Sequence, residues 1–313
     1  MPFLRLIFSF TLIACTLVCG KEPGKEAGTP KPAAFVSDGA GDGSVWVVDG
    51  PKGGRLYLCG TIHILREKDY PLAPGYEAAY MYSNKLVLEL PPGSSGPELT
   101  NRMAQLGMYP AGSSLEANVS KETWEKVRQW ATKRGMDAGD MNKFRPWFAA
   151  LLITSTEYSA LGASPDKGVD SHFEARAKKD GKPMEGLETA EFQLQLFASL
   201  KEKQQTELLE QTLGEIATVA EEYEKMLAAW KQGDLGTLQD MLFREADKYP
   251  ELMSLFLTAR NVAWMEPLDR MLKNGEKVMV LVGTGHFTSE GGLIELLRLR
   301  GYKVRHYRDV TDF

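Results

Sequence analysis

The sequence predicts an α/β fold: a central mixed β-sheet with a large helical insertion. Three observations carry this. Apolar β-type runs lie at both ends of the folded part, a mostly helical stretch over about residues 97–273 separates them, and two of the β-runs end in the same Gly-Thr-x-His pattern.

The first elements read as extended. Val45-Trp46-Val47-Val48 and Arg55-Leu56-Tyr57-Leu58 flank Asp49-Gly50-Pro51-Lys52-Gly53-Gly54, turn chemistry between two β-prone runs, so a hairpin is expected. A helix over 74–83 leads to Lys85-Leu86-Val87-Leu88-Glu89-Leu90, a buried-strand run with one acid near its end. Beyond residue 97 the spacing turns helical. Ser120 is placed to cap a helix carrying Trp124, Val127, Trp130 and Ala131. Leu209, Leu213, Ile216, Val219, Tyr223, Met226 and Trp230 form one apolar stripe, which predicts a long helix bounded by Gly233. Another helix follows Pro250 toward Lys273, with a stop at Asn274-Gly275. Within this region the segment from Gly181 to Glu188 reads as a turn and short strand.

The last forty residues or so return to strand–loop–helix–strand: Lys277 to Val282, Gly283-Thr284-Gly285-His286, a helix from about Gly291 to Arg300, then Tyr302 to Tyr307. The loop falls at the carboxyl end of its strand, the edge where open α/β sheets bind ligands.

Composition bounds the function. Of 313 residues 43% are hydrophobic and 25% charged, ordinary globular proportions that argue against disorder or a coiled coil. Lys+Arg 37 against Asp+Glu 42 gives a net charge of -5, which leaves no basic surplus for phosphates and disfavours nucleic acid as a partner. Four histidines and three cysteines exclude a zinc ribbon or a disulfide scaffold.

The N-terminus reads as an export signal. One Arg precedes an uncharged apolar run from Leu6 to Val18, the layout of a secretory signal over residues 1–20. Cys15 resembles a bacterial lipobox cysteine, Cys19 is the alternative acceptor, and cleavage after Gly20 without lipid is the third reading. Residues 21–34 mix Pro, Gly and charge with nothing to bury, the composition of a tether, and 35–313 follow as a single domain. The expected location is exported, either periplasmic or as a membrane-anchored lipoprotein in a bacterium. Cys59 is then the one cysteine of the domain, so its core must hold it together without an internal disulfide.

The chemistry concentrates at strand ends. Gly60-Thr61-Ile62-His63 and Gly283-Thr284-Gly285-His286 each follow an apolar run directly, and Glu89 ends a third run in the same manner. Glycine lets the chain leave the strand steeply, threonine can bond the loop, and histidine projects from the ligand-binding edge. If the three strands share a sheet, His63, Glu89 and His286 converge as two imidazoles and a carboxylate, a donor set for a catalytic divalent metal. Each histidine alone has a blander reading, as a solvated or hydrogen-bonded loop residue. His172 stands near a helix start, and His306 in the last strand reads as structural. Gly283-Thr284-Gly285 is not a dinucleotide loop, because Thr288 stands at the third glycine position. No nucleophile elbow, phosphate loop or His-Glu-x-x-His helix occurs.

Several segments together resemble the TraB/GumN family, relatives of the Tiki proteins. They are Leu56 to His63, Leu86 to Leu90, Pro146-Trp147, Gly186-Leu187-Glu188-Thr189, Arg260 to Met265, Val282 to His286 and Gly301 to Val304, in order along nearly the whole domain. The resemblance implies a fold similar to the erythromycin esterase/ChaN-like proteins, with both Gly-x-x-His motifs in one cleft. It also implies metal-dependent proteolysis of the Tiki kind, with manganese or cobalt as the metal. Other relatives serve in pheromone shutdown or bind haem. Carried onto this chain, the motifs point to His63, Glu89 and His286 as metal ligands. Glu188 is a general base toward water or a helix-start cap. Arg260 neutralises a substrate carboxylate or developing oxyanion, or pairs with Glu89 or Glu188. Trp147 and Trp264 read as core or cleft wall. Two functions are thus expected in competition: an exported metal-dependent hydrolase acting on a peptide or small-molecule substrate, or a non-catalytic binder of haem, peptide or a partner in the same cleft.

Overall fold

Val45–Asp49 (β1) and Arg55–Thr61 (β2) form the expected antiparallel hairpin, with Val45 opposite Cys59 and Asp49 opposite Arg55. This computed structural model describes residues 41–94, 96–243, 250–288 and 290–311. The export segment, the tether, Cys15 and Cys19 lie outside the described residues. Among those described, Cys59 is a free, buried thiol, and no helix is long and apolar enough to cross a membrane.

Lys85–Leu88 (β3), Met184–Gly186 (β4), Lys277–Gly283 (β5) and Lys303–His306 (β6) complete a six-stranded mixed sheet in the order β4-β3-β5-β2-β1-β6. β4, β3, β5 and β2 run parallel, while β1 is antiparallel to both β2 and β6. The four parallel strands therefore end on one edge.

Strand periodicity divides the core. Tyr57, Cys59, Leu86, Leu88, Met279 and Leu281 face one layer, with the helices Pro74–Tyr82, Val169–Asp180 and Val219–Gln232. Leu56, Leu58, Val87, Val278, Val280 and Val282 face the other, with Ala259–Lys273 and Leu293–Leu299. Covering both faces is why these strands read as continuous apolar runs. A further core of the inserted helices joins Lys121–Lys133, Pro146–Ala160, Ala190–Ala198 and Glu202–Glu215 around Trp147, Phe197 and Leu209. The Ser120 cap is present, its hydroxyl accepting from the Thr123 amide at 3.0 Å.

Three local expectations change. The stripe from Leu209 to Trp230 is carried by two helices, Glu202–Glu215 and Val219–Gln232, joined by a 3-10 turn at Ile216–Thr218. The break has a packing reason: Leu208 and Leu209 belong to the inserted helical core, whereas Val219, Tyr223 and Trp230 belong to the layer against the sheet. The segment after Pro250 contains a π-helical turn, Ser254–Thr258, just before Arg260. β3 stops at Leu88 rather than Leu90, because the Glu89 side chain turns to accept the Gly283 amide at 2.7 Å.

Candidate functional site

Each parallel strand delivers one residue to the shared edge. His63 lies two positions beyond β2, Glu89 one beyond β3, Glu188 two beyond β4 and His286 three beyond β5. His286 sits on a short helical turn, Gly285–Thr288, where a loop was expected. The two Gly-Thr motifs are tied to each other, since the Thr284 hydroxyl donates to the Thr61 carbonyl at 3.0 Å. Arg260 reaches the same point from the helix Ala259–Lys273. All five sequence-predicted site residues thus converge, and His63, Glu89, Arg260 and His286 are exposed by no more than 2%.

Glu89 is the centre. Its Oε1 accepts from the Gly283 amide at 2.7 Å and stands 4.0 Å from His63 Nε2 and 3.8 Å from His286 Nε2. Its Oε2 accepts from Arg260 Nη2 at 2.7 Å and from Gln193 Nε2 at 3.0 Å. Arg260 also donates through Nε to both Glu188 oxygens, at 3.0 and 3.1 Å, and makes a further close contact to Glu188 through Nη2. Arg260 Nη1 donates to the Phe256 carbonyl at 3.1 Å and stands 3.2 Å from His286 Nε2. Trp264 closes this side, its indole N–H donating to Glu188 at 3.2 Å and its ring lying 4.4 Å from that of His286. Glu188 is not the helix cap; the neighbouring Thr189 hydroxyl accepts from the Phe192 amide at 3.2 Å instead. Arg260 pairs with both acids.

The outer nitrogens of the imidazoles are held as well. His63 Nδ1 is 2.7 Å from Asp170 Oδ2, and His286 Nδ1 is 2.6 Å from Asn261 Oδ1. The environments drive the two rings apart electrically. Burial opposes charge on His63, but the Asp170 carboxylate, with Glu89 behind it, outweighs burial and raises its pKa above the usual histidine range. His286 is pushed well below that range by burial, with the Arg260 cation adding to it. Burial also raises the Glu89 carboxyl, against the pull of Arg260 and His63. Burial opposes the Arg260 charge, yet Glu89 and Glu188 hold its pKa above the ordinary arginine value.

Gly168 makes the Asp170 contact accessible. A Cβ there would stand 2.2 Å from the His63 carbonyl oxygen, and its φ of -59° is ordinary, so the requirement is space alone. Gly168→Ala is expected to push the His63 segment off the start of the helix and cost about 1–3 kcal/mol. A thermal melt matching the wild type would contradict this close approach.

Asp170, Asn261 and Gln193 escaped sequence reasoning as members of the site. Asp170 and Asn261 stand close to His172 and Arg260 in sequence, on helices already rich in polar residues, so no local signal marked them. The remaining histidines stand elsewhere. His172 packs between the rings of Tyr70 and Phe173, at 5.3 and 4.9 Å. His306 bonds the Gly43 carbonyl at 2.9 Å and packs edge-on to Trp46. Trp147 belongs to the inserted helical core, whereas Trp264 is site wall.

The donor chemistry suits a divalent ion. His63 Nε2 is buried without a hydrogen-bond partner, and both imidazoles turn Nε2 toward one carboxylate oxygen while Nδ1 is tied behind, an arrangement common to histidine ligands. As they stand, the Glu89 oxygens are engaged by Gly283, Arg260 and Gln193. Among the described residues no group of three or more His, Cys, Asp or Glu is arranged to hold a metal.

Known proteins resemble the chain along most of its length. The chain is 26% identical over 252 residues to the uncharacterized protein YbaP of Escherichia coli (strain K12), covering 79% of this chain and 89% of YbaP. It matches YbaP of Shigella flexneri with the same identity and coverage. It is 20% identical over 321 residues to the metalloprotease TIKI2 of Danio rerio, covering 84% of this chain and 60% of TIKI2. No solved structure matches the chain. The TraB/PrgY/gumN family model matches residues 44–306, the span from the first strand to the last, and the chain belongs to the TraB/PrgY/gumN family.

Proposed function

We propose that the protein is a metal-dependent hydrolase of the protease type, exported from the cytoplasm, with His63, Glu89 and His286 as the residues that would hold a divalent cation such as manganese or cobalt. The observation that carries the reading is His63 Nε2, buried without a partner 4.0 Å from the Glu89 oxygen that His286 Nε2 approaches to 3.8 Å. The likeness to a metalloprotease supports the reaction class. When bound, the ion would polarise a scissile carbonyl and lower the pKa of a water.

The chain's own residues supply the rest. Arg260 is the cation beside this point, and with its N–H groups engaged by Glu89, Glu188, Phe256 and His286 it acts by holding the site's acids and His286 in place. Glu188 already accepts from Arg260, Gln193 and Trp264, so it is better placed to orient Arg260 than to take a proton. A groove of about 720 Å³, lined in part by Gly93, Asn101, Arg102 and Glu191, opens where the chain leaves β3 and β4, just beyond Glu89 and Glu188 in sequence. Export rests on the apolar run from Leu6 to Val18, and a membrane anchor on Cys15 or Cys19.

Titration of the purified protein with manganese is expected to show stoichiometric binding, abolished in His63→Ala and in His286→Ala while both variants keep a cooperative melt. Cleavage of a peptide library should then depend on the added metal. Intact metal binding in both variants would sink the shared site. A Soret band on haem titration, lost in either variant, would favour the binder instead.

A further inference from the structure

We propose that Asp170 and Asn261 are positioning residues that hold both imidazoles in one tautomer, with the proton on Nδ1 and a bare Nε2 toward Glu89. This rests on the hydrolase reading above for its purpose, though not for its geometry. A neutral imidazole carries one N–H, and the partner of one nitrogen decides the state of the other.

At His63 the deciding group is a carboxylate. A carboxylate oxygen accepts, so at 2.7 Å the neutral ring carries its proton on Nδ1 and its lone pair on Nε2. At His286 the partner is an amide, which can present either its oxygen or its NH2. Asn261 Nδ2 is committed to the Gly291 carbonyl at 3.0 Å, which leaves Oδ1 facing His286 Nδ1 at 2.6 Å. Arg260 confirms the choice from the other side: its Nη1, a donor only, stands 3.2 Å from His286 Nε2, which must therefore accept.

The two clamps come from opposite layers. Asp170 is on the helix Val169–Asp180, which packs on the face of Tyr57 and Met279, and Asn261 is on Ala259–Lys273, which packs on the face of Leu58 and Val280. Both are buried, at 2% and 0% exposure. The two layers of the fold thus prepare the same nitrogen on two rings, though with unlike chemistry, an anion behind His63 and a neutral amide behind His286.

That difference supplies the test. Nitrogen-15 spectra of the imidazoles in the metal-free full chain, at mildly alkaline pH, should show Nδ1 protonated and Nε2 bare on both His63 and His286. In Asp170→Leu, a change of similar size, nothing behind Nδ1 accepts a hydrogen bond, so the His63 proton should move to Nε2, toward the Glu89 carboxylate. His286 should be unchanged, and manganese affinity should fall roughly 10–100-fold. Asn261→Asp still accepts from Nδ1, so its His286 tautomer should persist. Packing alone gives no reason for that asymmetry. A wild-type spectrum in which either neutral ring carries its proton on Nε2 overturns the proposal without any variant. So does an Asp170→Leu protein whose His63 tautomer and manganese affinity are both unaltered. Wild-type protein that binds no divalent cation defeats the hydrolase reading instead, and the tautomer spectra still judge the clamps.

Discussion

Replacing Arg260 by methionine is expected to destabilise the fold by about 3–5 kcal/mol at neutral pH. Arg260 is 1% exposed and supplies a hydrogen-bonded cation to two buried carboxylates, with Nη2 at 2.7 Å from Glu89 and Nε at 3.0 Å from Glu188. Methionine fills much of the same space beside Trp264 but leaves both acids without their counter-charge. Burial already raises Glu89, and Arg260 is the strongest opposing influence, so the substitution moves that carboxyl higher still. A carboxyl whose folded pKa exceeds its unfolded value favours the folded state only while protonated. That contribution is full below the unfolded pKa and is lost as pH rises through the folded one. The deficit of Arg260→Met relative to wild type should therefore shrink as the pH falls from neutral toward the carboxyl range. Urea unfolding across that range measures it. A deficit that stays constant or grows on acidification would show that Glu89 and Glu188 do not depend on Arg260.

Trp230→Ala is expected to cost a comparable amount, about 3–5 kcal/mol, by leaving a cavity where a 2% exposed indole sits. The position also matters to the site. Trp230 Nε1 donates to the Gly60 carbonyl at 2.8 Å, and the Tyr76 hydroxyl donates to the same oxygen at 2.5 Å. Gly60 begins the Gly-Thr-x-His segment that ends in His63, so this pair anchors the strand end under the first imidazole. Trp230→Phe keeps most of the ring volume and leaves Gly60 one donor, so it should cost less, about 1 kcal/mol for the missing hydrogen bond. Melts of the two variants would separate cavity from hydrogen bond. An alanine variant no less stable than the phenylalanine one would refute the packing argument.

Legibility in the sequence followed the reach of each signal. Turn chemistry at Asp49 to Gly54 and the apolar run of β5 are local patterns, and both elements formed where expected. The stripe from Leu209 to Trp230 was misleading as evidence for one helix, because apolar spacing does not say which core each half will face. The same restriction hid Asp170 and Asn261. Nothing within their own helices marks them as partners of histidines, and the two sheet layers place them there.

The sequence by itself determined that strands would end in Gly-Thr-x-His twice and in glutamate once, because β-propensity, glycine and histidine are written locally. The resemblance to the family followed from those motifs together with Pro146-Trp147, Gly186 to Thr189, Arg260 to Met265 and Gly301 to Val304, in order, and the family model over residues 44–306 bears it out. Only the tertiary structure decided that β3, β5 and β2 are neighbours, that Arg260 lies between two acids, and that each imidazole is backed by a different group. Strand order and buried charge pairing depend on contacts between residues far apart in the chain, such as Thr284 with Thr61, 223 positions away, and only the packed sheet brings these together.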